Sequence, residues 1–354
     1  MADWSELPFE LLMLISRQLH FFDDYVRFGL VCKSWRAALL LKDKNNSCSL
    51  LPLLMFTENE NFLRLFCSPF NNRLYQFDLP EIYDRRCWGS SNGWLVTLDA
   101  KYELHLFNPL SSVQILLPSL RKCLNLKNLT YNPNVCSDIF LDKVVLSSSS
   151  SLGNCVVLAI YSDNKIAFAK PGIESWTPLQ CSPAAVHDAI YFGGKFYVAD
   201  CSGDVIICDS NGIHLKTVAL TSPFHMFMTY IVELGGQIHV VRRSMYYHVE
   251  KRVCITCGFK VYKLDQCSNK CVEVKTLGTW SIFVGSNYSF SISGTGYPEC
   301  ISNCIYFTDH YSPTIHRPYD MGTYSLDTDD IKPLFQEDLI CLKSYVPTWI
   351  KLSW

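Results

Sequence analysis

No stretch of this chain reaches the roughly 18 uninterrupted apolar residues that a membrane-spanning helix needs. No membrane partner is therefore expected. Nor is one sign of charge in excess: 31 Lys and Arg stand against 33 Asp and Glu, a net charge of −2 over 354 residues. That balance argues against the broad electropositive field of a nucleic-acid-binding protein. The opening residues MADWSEL are acidic and Glu10 interrupts the apolar run after them, so a secretory leader is not expected. The 17 cysteines are then placed in a reducing compartment, the cytoplasm, the nucleus or both, as small apolar core residues. Helical patterning is also missing after Leu50, where no run sustains three turns.

What is present is 49% hydrophobic and 18% charged, the balance of a folded protein. The exception to the strand pattern is Trp4 to Lys42. Leu7-Pro8 marks a helix start, with Ser5 as a candidate N-cap and Pro8 supplying a preset φ in the first turn. Leu11, Leu12, Ile15 and Leu19 recur at helical spacing and form one apolar face. Asp23 or Asp24 is a candidate cap for a second helix through Tyr25, Phe28 and Leu30. A third run places Val31, Cys32, Trp35 and Leu39 on one side. About 40 residues cannot bury that much apolar surface alone, so either the rest of the chain or another protein covers it.

The order Leu7-Pro8, spaced aliphatics, then Val31-Cys32-Lys33-x-Trp35-Arg36 resembles an F-box, a short helical motif that docks on a Skp-type adaptor of cullin–RING ubiquitin ligases. The resemblance implies adaptor-binding roles for Leu7, Pro8, Leu11, Leu12, Ile15, Leu19, Leu30, Val31, Cys32 and Trp35. A helical cap packed only on its own chain is the alternative that periodicity alone leaves open.

Lys42–Ser49 is polar and turn-rich, so the expected units are residues 1–44 and 45–354. The second is read as short β-rich runs between Gly, Asn, Asp, Ser and Pro clusters. Units around 94–118, 155–179, 188–208, 230–277 and 304–335 share one rhythm: strand, Gly turn, strand, Asp-containing turn, strand. A repeat of roughly 40–50 residues is the signature of a propeller, one sheet per repeat. The fold class is thus mostly β with a small N-terminal α module, a three-helix F-box followed by a β-propeller of six or seven blades. A large β-sandwich or two smaller β-domains compete with it. Ser90-Ser91-Asn92-Gly93-Trp94-Leu95, Leu106–Leu110, Leu117-Pro118 and Asn303–Asp309 resemble a plant domain, formerly of unknown function and now regarded as a kelch-like β-propeller, that commonly follows an F-box.

Several motifs suggest chemistry and are weaker than they look. Gly89-x-Ser91-x-Gly93 has the letters of a nucleophile elbow, but a strand follows where that device needs a helix. Cys254, Cys257, Cys267 and Cys271 have the residue types of a zinc site, yet too short a spacer, and a strand pattern turns Cys254 and Cys257 opposite ways. Asp327, Asp329 and Asp330 are expected at a solvated hairpin tip. No metal, cofactor or catalytic residue is assigned. Arg242, Arg243, Tyr246 and Tyr247, with His310, Tyr311, Arg317 and Tyr319, mix cations and aromatics in expected loops, where they are candidate target-binding residues.

The family resemblance implies a non-catalytic substrate receptor, joined through the adaptor to a cullin and holding an unidentified target protein on its propeller. Two alternatives stay open: a scaffold that grips the adaptor without ubiquitin transfer, and a propeller enzyme with carboxylates converging on its central channel.

Overall fold

The computed structural model describes residues 4–44, 50–57, 64–76, 79–83, 85–89, 91–99, 101, 103–119, 141–147, 155–161, 165–179, 183, 185–220, 227–250, 253–266, 268, 270–308, 320–335 and 347–352. Three helices open it: α1 (Phe9–Arg17), α2 (Phe22–Val31) and α3 (Lys33–Lys44), after a 3-10 turn at Trp4–Glu6. Pro8 stands just before α1, and its carbonyl accepts the first bonds from Leu11 and Leu12 at 3.0 and 3.2 Å. A proline there forfeits no N–H the helix needs.

Three local expectations are corrected. Ser5 lies in the 3-10 turn rather than at the cap of α1. Phe21, not an aspartate, holds the N-cap of α2, and Asp23 and Asp24 fall in its first turn, facing the positive end of the helix dipole. Cys32 is extended and separates α2 from α3, so Val31 ends one helix while Trp35 and Leu39 belong to the next.

Beyond the helices the described residues form six sheets arranged as a six-blade propeller. Blade 1 holds Leu53–Thr57, Arg64–Cys67 and Leu74–Gln76, with Thr348–Ile350 as its innermost strand. That strand pairs antiparallel with Leu53–Met55, so the end of the chain closes the ring onto its start. Blades 2, 3 and 4 begin on the axis with Arg86–Gly89, Lys143–Leu146 and Val186–Phe192. Blade 5 runs Phe227–Leu234, Gln237–His248, Val253–Asp265 and Lys270–Val274. Blade 6 departs from the pattern. It has five strands, with Phe290–Ser293 innermost and Trp280–Val284 parallel to Cys304–Phe307.

Alternation along each strand explains why no helical layer is needed. Val144 and Leu146 pack toward blade 2 while Val145 packs toward blade 4; Leu53 and Met55 face blade 2 while Leu54 and Phe56 face blade 6. Side chains on successive residues point to opposite faces, and in a ring both faces meet a neighbouring sheet. The blade 1–2 core is shared with the helices: Leu12, Tyr25, Phe28, Ala38 and Leu39 pack in one cluster with Leu53, Phe66, Leu95, Phe107, Ile350 and Leu352.

Strand direction fixes two faces of the ring. Because neighbouring strands of a regular blade are antiparallel, turns joining its first to second and third to fourth strands share one face; turns joining second to third lie on the other. The helices enter at Leu53, the start of a second strand, and therefore lie on the first face. Their contacts agree. Asp23 of α2 pairs with Arg73 and accepts a bond from the Tyr75 hydroxyl at 3.1 Å. His20 lies 3.3 Å from Glu299 and 5.1 Å, ring to ring, from Tyr297, and its carbonyl accepts from Leu51 at 2.9 Å.

Candidate functional site

The spacing of Leu11, Leu12, Ile15 and Leu19 reads as one face, but the structure divides it. Leu12 and Ser16 turn inward and are fully buried, whereas Leu11, Leu14 and Ile15 are exposed. Leu12 is thus a core residue in contact with the propeller cluster, not part of an outer surface. Leu30 is 78% and Val31 50% exposed at the end of α2, and Trp4 ahead of α1 and Phe9 at its first position are exposed. Pro8 is exposed; Leu7, Leu19, Cys32 and Trp35 are half-buried. Trp35 packs inside the module, its ring 4.4 Å from that of Phe28 and its indole N–H donating to the Trp4 carbonyl at 3.0 Å. Leu14 and Phe9 were not among the expected residues. The i, i+3 relation of Leu14 to Leu11 is the signal for it. The helices thus share a core with the ring while leaving Leu11, Leu14 and Ile15 of α1 and Leu30 and Val31 of α2 exposed.

On the opposite face a single feature stands out. The second and third strands of blade 5 are the longest in the ring, and their pairs Met245–Thr256 to His248–Val253 extend past the last residue paired with the first strand, at Ser244. Four residue pairs project about 13 Å as a two-stranded ribbon. Tyr246 and Tyr247 are half-exposed on it, and Val249 at its tip is exposed.

Arg243 holds the base of this ribbon. Its Nε donates to Thr256 Oγ1 at 2.7 Å, Nη1 to the Tyr230 hydroxyl and the Thr308 carbonyl at 3.2 and 2.7 Å, and Nη2 to the carbonyl and Oδ2 of Asp320 at 3.1 and 2.9 Å. All five guanidinium N–H groups are used, and the group stacks 4.7 Å from the Phe307 ring. Arg243 and Arg242 were expected in an exposed recognition loop. Both are buried in a strand, where Arg243 ties blade 5 to Thr308 and Asp320 of blade 6. His310, Tyr311, Arg317 and Tyr319 lie outside the described residues.

The remaining motifs resolve into structure. Ser91 sits in a 3-10 turn between two strands and its Oγ accepts from the Leu146 amide at 3.3 Å, stitching blade 2 to blade 3. Cys271 pairs with Leu264, ten residues along the strand from Cys254, a separation of about 30 Å that no single metal can bridge. Asp327 accepts from the Asn303 side chain at 2.6 Å and Asp329 from the Tyr324 hydroxyl, so the acidic turn is partly a fastener. Asp99, Glu103 and His105 lie within 4.8 Å of one another, but Asp99 Oδ1 already accepts from the Lys101 and Glu103 amides at 2.9 Å.

Asp188, read only as the start of a strand, proves to be the hub of the axis. Its carboxylate takes Lys143 of blade 3, the Ala189 amide of its own blade at 2.6 Å, the Ile231 amide of blade 5 at 3.1 Å and the Ser289 hydroxyl of blade 6 at 2.6 Å. Burial pushes the Lys143 ammonium below the usual lysine range, and the Asp188 charge opposes that. A carboxylate so engaged is not a free general base.

Residues 65–325 match the model of the KIB1-4 beta-propeller, and residues 4–46 that of the F-box domain. Putative F-box protein At1g65770 of Arabidopsis thaliana is 27% identical over 378 positions, covering 99% of this chain and 100% of that protein. F-box protein SKIP23 of the same plant is 25% identical over 401 positions, covering 100% and 94%. Among solved structures, that of U3-55K is 8% identical with a TM-score of 0.36, over 85% of this chain and 77% of that one.

Proposed function

The chain belongs to the KIB1-4 beta-propeller family and carries an F-box ahead of its propeller; from that premise we propose that it is the substrate-recognition subunit of a Skp–cullin–F-box ubiquitin ligase. The supporting observation is that Leu11, Leu14, Ile15, Leu30 and Val31 stand exposed on helices that bury Leu12, Tyr25 and Phe28 in the core. Exposed aliphatics at that density are costly in water unless another protein covers them. Residues 1–44 bind the adaptor, with Leu7, Pro8, Leu19, Cys32 and Trp35 contributing beside the exposed aliphatics. Residues 45–354 hold the target on the face bearing the ribbon, where Tyr246 and Tyr247 offer large, stiff contact area at little entropic cost. The chain itself contributes no bond-making group. It raises the local concentration of target lysines near a charged conjugating enzyme held by other subunits. Its place of action is the cytoplasm or nucleus, which suits the free thiols at Cys67, Cys300 and Cys304.

The test is co-purification with a Skp-type adaptor. A Leu11→Ser, Ile15→Ser, Leu30→Ser variant is expected to keep the wild-type melting transition and lose about 100-fold or more in adaptor affinity, the scale of several hot-spot losses. Undiminished binding by that variant, or no binding by the intact chain, overturns the reading.

A further inference from the structure

The innermost strand of blade 5, Phe227–Leu234, pairs on its outer side only, with Gln237–His248. Alternation turns every second amide of such a strand toward the axis, where its own sheet offers no acceptor. Two of these amides are taken by side chains of blade 4. Thr229 donates to His187 Nδ1 and Ile231 to Asp188 Oδ2, each at 3.1 Å. Consecutive residues of a regular strand point to opposite faces, so one of that pair should face blade 3. A bulge prevents it. Val186 pairs with Asp200 and Asp188 with Ala199, which leaves His187 as the extra residue and turns it, with Asp188, toward blade 5.

The two halves of this clasp respond differently to a proton. Asp188 is fully buried, and its carboxylate is also held by Lys143 of blade 3, the Ala189 amide and Ser289 of blade 6. His187 is half-buried, and its bond to Thr229 requires a neutral ring with the proton on Nε2. A proton on Nδ1 would meet the Thr229 N–H donor to donor, so the bond and the charged ring exclude one another. The charged groups facing the ring are Asp200 and Asp188 of its own blade and Arg242 of blade 5. Both carboxylates favour the charged ring, whereas burial and Arg242 oppose it. Burial prevails and holds the imidazole below its usual range.

We propose that His187 is a proton-operated catch on the seam between blades 4 and 5, closing its Thr229 end when neutral and releasing that end when charged, while Asp188 keeps hold of Ile231. Thr229 lies nearer than Ile231 to Phe227, the residue past which the ribbon projects, so the end that opens is on the ribbon face. The released ring titrates near the ordinary value of about 6.5 and the seated ring below it. The seam is therefore fully closed above about pH 6.5 and loosens as pH falls toward the seated value. The catch is independent of what the propeller holds.

The experiment is amide hydrogen exchange on the full chain from about pH 7.5 to about pH 5.5, read residue by residue and corrected for intrinsic rates. Opening at Thr229 is expected to grow toward about tenfold at one pH unit below the free imidazole value, while Ile231 stays protected. His187→Gln keeps an acceptor but has no ring to titrate, so its Thr229 profile should be flat. A flat Thr229 profile in the intact chain, an equal rise at Ile231, or an undiminished rise in His187→Gln overturns the proposal. Should that variant fail to fold, the contrast between the two amides of the intact chain decides by itself.

Discussion

Two regions of this molecule hold hydrophobic groups out in water, and they do so by opposite means. The N-terminal helices keep Leu11, Leu14 and Leu30 exposed by sinking Leu12, Tyr25 and Phe28 into a core shared with blades 1 and 2. The blade 5 ribbon keeps Tyr246 and Tyr247 exposed by anchoring its base on a buried guanidinium with every donor filled. Apolar burial is non-directional, so it fixes the position of the helices through shape alone. Five hydrogen bonds are directional, and fix the angle at which a two-stranded ribbon leaves the ring.

The ionic anchor is the more brittle of the two. Arg243→Met is expected to cost about 3–5 kcal/mol, because it strands Asp320 and Thr256 without their cation; denaturant unfolding measures that, and hydrogen exchange of 245–256 should rise more than exchange in blade 2. A cost equal to that of an ordinary core substitution, with no local gain in exchange, would place the ribbon's rigidity elsewhere. Next in size is the pair Leu11 and Leu12, neighbours with the same chemistry. Leu12→Ala is expected to destabilise by about 2–5 kcal/mol, whereas Leu11→Ala should change stability by no more than about 0.5 kcal/mol. Adaptor affinity measured in the same series should fall for Leu11→Ala while the protein stays folded. Equal stability effects would mean that the helix has no distinct inner and outer sides.

Smaller still is the clasp between α2 and blade 1. Asp23 is largely buried but Arg73 is 58% exposed, so Arg73→Ala is expected to cost at most about 1 kcal/mol, decreasing with salt. A larger loss would show that charge, and not the shared core, seats the helices. The last prediction leaves stability untouched. Burial pushes the Cys67 thiol up to about 12 and Cys304 up to about 11, so both should resist alkylation at pH 8 until the protein unfolds. Exposed Cys257, at the root of the ribbon, should react before either of them. Mass spectrometry of timed labelling gives the order.

How far the sequence led differs between these regions for physical reasons. The third blade's middle strands, Val157–Tyr161 and Lys165–Ala169, are legible as apolar runs around a turn. Its innermost strand, Lys143–Leu146, is not, because it is four residues long and buried on both sides, which erases the period-two alternation that marks a half-exposed strand. Blade 1 hid its order more deeply, since its innermost strand lies nearly 300 residues away in the chain. Helical spacing correctly marked α1 as apolar but could not say which leucines face in, since both sides of that helix are apolar. Arg243 misled for a related reason. An arginine beside two tyrosines reads as a surface patch, and only Thr308 and Asp320, more than 60 residues on, reveal it as an anchor.

The strand Thr348–Ile350 has a consequence for how such a chain is made. Ile350 and Leu352 belong to the same cluster as Leu12, Tyr25 and Phe28, so part of the seat of α1 is translated more than 300 residues after the helix itself. During synthesis the inner leucines of α1 have no finished surface to rest on, and a nascent chain stopped before residue 348 would lack both the closing strand and part of that seat. Truncated products would then present α1 with its inner and outer leucines alike uncovered. Synthesis of residues 348–352 is the step that sorts them, and the inner and outer leucines become distinct only once that strand is in place.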